Sequence, residues 1–103
     1  MTATAKAHDP ITPGEILLTE FLEPLGISQY RLAQATGLPQ TRISEILKGK
    51  RSITANTDLR LCRFFGLSNG YWLRVQVIHD LDHAQRAMAK ELDLIHPFQA
   101  TYA

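Results

Sequence analysis

The chain has 103 residues, 45% apolar and 20% charged, enough for one buried core and unlike the composition of a disordered segment. Its single cysteine, Cys62, excludes an internal disulfide and suits a reducing cytoplasm. No apolar run approaches a membrane span, and the first nine residues lack the apolar stretch of a secretory signal. The net charge of +1 is unevenly distributed. Residues 29–63 carry seven basic and two acidic side chains, residues 1–28 are net −3, and residues 64–103 are net −1. A basic middle between acidic flanks fits one face meeting phosphates.

In chain order, residues 1–10 read as a flexible arm. Thr12-Pro13-Gly14-Glu15 then reads as a capping box with proline at the first helical position, and Ile11 and Ile16 stand at the spacing of a hydrophobic staple. The first helix carries Leu17, Phe21 and Leu22 inward and is expected to stop before Pro24. Ser28 caps a second helix from Gln29 to about Ala35, which Gly37 ends. A third helix starts near Pro39 or Gln40, presents Ile43, Ile46 and Leu47 on one face, and closes at Gly49. After the basic loop Lys48 to Ser52, Thr54 caps a fourth helix that is expected to bury Leu59, Cys62 and Phe65 or their close neighbours, until Gly66. Ser68 is expected to cap the fifth helix, with Leu67 and Trp72 as its staple pair. Apolar spacing through Leu73, Gln76, Val77, Leu81, Ala84 and Met88 extends that helix to about Leu92. A small core cannot cover such a length, so the excess predicts a second copy of the chain, joined through Trp72, Leu73, Gln76, Val77 and Leu81. The expectation is an all-α domain of five helices over residues 11–92, with a tail over residues 93–103.

The second and third helices satisfy the packing rules of a helix-turn-helix. Counting from Gln29, the fifth position must be small and is Ala33, and the ninth must leave the helix with unusual dihedrals and is Gly37. The inner positions four, ten, fifteen and eighteen hold Leu32, Leu38, Ile43 and Ile46. In such a unit the outward N-terminal face of the third helix reads base edges. Here that face offers Gln40, Thr41, Arg42, Ser44 and Glu45 as base contacts. Glutamine matches adenine, arginine guanine, threonine a thymine methyl, and glutamate the cytosine amino group. Glu45 has a second reading, in which it orients Arg42 or Lys48. Gln29 at a helix N-terminus, with Lys48, Lys50 and Arg51 in the following loop, would hold phosphates.

The stretches Pro13-Gly14-Glu15-Ile16-Leu17, Phe21-Leu22-Glu23-Pro24-Leu25-Gly26-Ile27-Ser28, Gly49-Lys50-Arg51-Ser52-Ile53-Thr54 and Trp72-Leu73-Arg74-Val75-Gln76 resemble the HigA-type antitoxins. These are a branch of the Xre/Cro-like proteins also labelled virulence-associated protein I, and the resemblance covers about residues 11–85. It implies a lambda-repressor-like fold and a homodimer that represses its own operon; a dimer presenting two recognition helices to successive major grooves would read an inverted-repeat operator in double-stranded DNA. The resemblance also implies a partner toxin, a RelE-like mRNA endonuclease of the HigB type. The chain departs from that family at Arg74 and His79, where asparagine and tyrosine are usual. Solitary relatives without a toxin share the same features.

Neither an enzyme nor a cofactor is expected. His79 and His83 have the i, i+4 spacing of a helical zinc site, but Asp80 stands where a general-base glutamate would be, and no third ligand is evident apart from His96. A protein-interaction module that does not bind DNA is the remaining alternative. The polar start of the third helix beside three cations argues against it.

Overall fold

The computed structural model describes residues 11–99; the expected N-terminal arm and the last four residues of the tail lie outside them. The first helix, α1, begins as read. The Thr12 hydroxyl accepts the Glu15 N–H at 3.1 Å, and the Glu15 carboxylate accepts the Thr12 N–H at 3.0 Å. The expected stop before Pro24 does not occur. An α-helical turn, Pro13–Ile16, passes into a π-helical stretch, Leu17–Leu22, and then a last α-helical turn, Glu23–Leu25, so α1 spans residues 13–25. The wider register is visible where the Glu23 N–H donates to the Leu18 carbonyl five residues back. A proline inside an α-helix lacks a donor and presses its ring on the carbonyl of the preceding turn, and one wider turn relieves both.

Helix α2 is Gln29–Thr36, capped by Ser28, whose hydroxyl accepts the Arg31 N–H at 3.0 Å. Helix α3 is Gln40–Leu47 and helix α4 is Ala55–Phe65, the latter capped by Thr54. The buried face of α4 includes Cys62 as expected, with Phe65 half-buried against the core, but it takes in Asp58 in place of Leu59. Thr57, Asp58, Leu61 and Cys62 are buried, while Leu59 is 49% exposed. The reason is Asp58. It turns its carboxylate into the protein, where Oδ2 accepts the Gly70 N–H at 2.7 Å and Oδ1 accepts those of Trp72 and Leu73 at 2.8 and 3.1 Å.

That carboxylate also corrects the expected cap of the fifth helix. Helix α5 is Tyr71–Ala87 and its N-cap is Gly70, which has no side chain to offer; Ser68 contributes only its backbone carbonyl, to the Tyr71 N–H. A negative charge at a helix start is favoured by the macrodipole and by the unpaired N–H groups there. Here it arrives from α4 rather than from the local sequence.

The core joins Leu17 and Leu22 of α1, Leu32 and Ala33 of α2, Leu38, Ile43 and Ile46 around α3, Ile53, Leu61 and Cys62, and Trp72 of α5. Phe21, Phe65 and Tyr71 ring the indole, with centroids 5.1, 6.3 and 5.0 Å away. Beyond Asp82 every described side chain is exposed, and the helix breaks at Met88 (φ −119°, ψ 28°) before a short α6, Ala89–Asp93. The extended fifth helix is therefore two pieces, and among the described residues nothing packs closely against its far half. Among the described residues no helix is long and apolar enough to cross a membrane.

Candidate nucleic-acid interface

The helix-turn-helix is assembled as its packing slots require. Leu32, Leu38, Ile43 and Ile46 are all buried, Ala33 lies at the crossing of α2 and α3, and Gly37 leaves α2 at φ +75°. A non-glycine residue would be strained there, and its Cβ would also meet the Arg60 guanidinium at 2.9 Å. Arg60 is a brace that the sequence reading missed. Its Nη1 donates to the Thr36 carbonyl at 2.8 Å while Nε donates to the Asn56 side chain at 2.8 Å, so α4 grips the end of α2. Thr36 adds a hydroxyl bond to the Leu32 carbonyl at 2.7 Å.

With Ile43 and Ile46 turned inward, the outer face of α3 is polar. Gln40 and Thr41 are exposed at its first turn, and Arg42, Ser44 and Glu45 are half-buried along it. Gln29 is exposed at the start of α2. Lys48 is the C-cap of α3, its N–H donating to the Ser44 carbonyl at 3.1 Å, and Lys50 and Arg51 follow in the exposed loop. Glu45 pairs with neither Arg42 nor Lys48. Its Oε1 accepts from Arg51 Nε at 2.7 Å.

The loop is pinned at its other end by Gln76. The side-chain carbonyl of Gln76 accepts the buried Ile53 N–H at 2.9 Å, and its amide nitrogen donates to Asp80 at 3.0 Å. Gln76 and Trp72 were expected at a dimer interface. Both are instead used within the chain, Trp72 being fully buried and Gln76 92% buried, because the first turns of α5 face the core and the loop. Leu73 packs partly against the core. Val77 and Leu81 are 51% and 63% exposed, and Ile78 joins them at 67%. His79 and His83 stack with ring centroids 6.2 Å apart. Among the described residues no group of three potential ligands gathers around a common point.

Two short helices crossing over a small residue, with a glycine turn and a polar outer face on the second, define the helix-turn-helix class. A helix-turn-helix family model matches residues 18–72. Virulence-associated protein I of Dichelobacter nodosus is 46% identical over 76 residues, covering 74% of this chain and 70% of the relative. A HigA-family addiction module antidote protein from Coxiella burnetii superposes with a TM-score of 0.82 at 38% identity, covering 87% of this chain and 99% of that one. Antitoxin HigA of Pseudomonas aeruginosa, solved with the higBA promoter, has a TM-score of 0.82 at 35% identity over the same shares of the two chains. The chain belongs to the helix-turn-helix family, in the branch of HigA and virulence-associated protein I, as the sequence resemblance implied. Membership of that family sets an enzymatic role aside.

Proposed function

We propose that this chain is a sequence-specific DNA-binding antitoxin that acts in the cytoplasm as a homodimer, represses its own operon and neutralises a HigB/RelE-like mRNA endonuclease. The observation that carries the DNA-binding part is the composition of one surface. An exposed Gln40-Thr41 pair opens α3, and Lys48, Lys50 and Arg51 flank the same helix. A solvated surface has no need of this pairing of base-matching side chains with adjacent cations. In this reading α3 enters the major groove, Gln40 pairs with adenine, and Thr41, Arg42 and Ser44 contact neighbouring base edges. Gln29, Lys48, Lys50 and Arg51 hold the phosphates on either side.

Replacing Gln40 with alanine should cost roughly 1–3 kcal/mol on the promoter duplex and relax preference at one base pair only. Equal weakening on every sequence would put the reading face elsewhere. An exposed side chain at the start of α3 can be truncated without touching the core, so thermal stability should be unchanged.

The second copy is proposed to cover Val77, Ile78 and Leu81, with Leu73 at the margin. The far half of α5 has no packing partner among the described residues, and an isolated helix of that length is marginal in water. Leu81→Asp should therefore give a monomer by sedimentation at micromolar concentration while near-ultraviolet dichroism of Trp72 stays unchanged. A dimer that persists would place the interface on another face.

The antitoxin role is supported by the named relatives and by the acidic first helix, whose exposed Glu20 and Glu23 would suit a basic nuclease. Co-expression with a HigB-type toxin tests it. Restored growth and a co-purifying complex are expected. Operator binding without either would leave a solitary repressor.

A further inference from the structure

We propose that Glu45 is a positioning residue for DNA binding, acting through Arg51 rather than on a base; this rests on the DNA-binding reading above. Glu45 holds the loop after α3 at two levels. Its backbone carbonyl accepts the Lys50 N–H at 2.8 Å, which wraps the chain back through Gly49 at φ +75°. Its carboxylate takes the Nε–H of Arg51 at 2.7 Å. The use of Nε matters, because a guanidinium has five N–H donors and the other four are on the two terminal nitrogens. Among the described residues those two nitrogens carry no hydrogen bond, so the fork is oriented at its base and free at its tip. A fork of that kind is suited to a bidentate phosphate contact. The far end of the loop is fixed by Gln76 on the Ile53 N–H, so the backbone that carries Arg51 is held on both sides.

The advantage is entropic. A free arginine loses several rotatable bonds when it grips a phosphate, and one already held by Glu45 has less left to lose. Against this stands repulsion. A carboxylate beside a phosphate backbone opposes binding, and in the absence of any positioning role its removal would strengthen attachment to every sequence. The two effects have opposite signs, which makes the role measurable. The pair is open to water, with side chains 47% and 46% exposed, so its contribution to folding is small and the variants should fold.

The test is fluorescence anisotropy with two duplexes, one spanning the promoter of the chain's own gene and one of unrelated sequence. Glu45→Ala should weaken both by about three- to tenfold, despite the gain in positive charge, and should lower the salt slope by about one phosphate contact. Glu45→Gln, which keeps a neutral acceptor for Nε, should fall between. In an Arg51→Ala background the same Glu45→Ala change should have no further cost or should tighten binding, since only repulsion is left to remove. Unchanged or tighter binding by Glu45→Ala alone would overturn the proposal. So would a loss confined to duplexes altered at one C·G pair, which would make Glu45 a base reader. If the unaltered protein forms no promoter complex, the DNA-binding reading itself fails; a complex that Glu45→Ala tightens removes only the role of Glu45.

Discussion

Asp58→Ala is expected to cost about 3–5 kcal/mol, a large share of the stability of a domain this size. The side chain is 1% exposed and serves no surface function. It caps α5, whose N-terminal Gly70, Trp72 and Leu73 N–H groups have no acceptor within their own helix and no local side chain to replace one. Alanine leaves all three donors without their acceptor, the Trp72 N–H in a buried place, and a buried donor left unpaired costs about 1–3 kcal/mol before relaxation. Asp58→Asn should be milder but still destabilising, since its amide nitrogen would confront a donor in place of an acceptor. Urea unfolding followed at Trp72 reads both. A loss below about 1 kcal/mol for alanine would mean that α5 is held by its apolar contacts and not by the cap. Because α5 carries the proposed dimer face, the same variant should also weaken self-association.

Gly14→Ala is the second change with a large expected effect, and for a different reason. A Cβ built at Gly14 would lie 2.0 Å from the Ile46 carbonyl oxygen and 2.9 Å from Leu47 Cα. These are backbone atoms at the end of α3 and cannot swing aside, so one helix must move. Overpacking of this kind costs about 1–3 kcal/mol, and a backbone neighbour puts the expectation at the upper end. The start of α1 buttresses the C-terminal end of the recognition helix. Promoter affinity should therefore fall along with the unfolding midpoint, and the preference set at Gln40 should blur rather than shift. A variant with wild-type stability would show that α1 can slide off α3 without cost.

What the sequence made legible was local. Caps at Thr12, Ser28 and Thr54 and the turn at Gly37 are interactions between residues a few positions apart, and each is where its spacing put it. The helix-turn-helix slots were equally legible, because the crossing of two adjacent short helices restricts residue size at fixed positions. The reading failed where a contact spans the chain. The expected face of α4 included Leu59 and left out Thr57 and Asp58, although a carboxylate that meets three backbone N–H groups belongs inside. Nothing near Ser68 discloses that its capping role is filled from another helix. Trp72 and Gln76 were assigned outward because helical spacing groups them with Val77 and Leu81. A helix that leaves the core part-way along changes its surroundings without changing its period. Gly14 looked like part of a cap, and its packing role shows only when Ile46 is brought against it.

Pro24 sharpens the same point. A proline near the end of a helical run reads as a stop, and in an unbroken α-helix it would be one. The π-helical register of Leu17–Leu22 has no distinct signature in composition, yet it lets α1 reach Leu25 and deliver Leu22 to the core.

The central claim is that the outer face of α3 and the loop behind it bind one inverted-repeat site as a dimer. Hydroxyl-radical footprinting on the promoter of the chain's own gene, repeated over a range of salt, tests it most directly. The account predicts two protected half-sites on one face of the duplex, about one helical turn apart, formed together and lost steeply as salt rises. A single protected site, or protection of unrelated DNA to the same extent at every salt concentration, would contradict it.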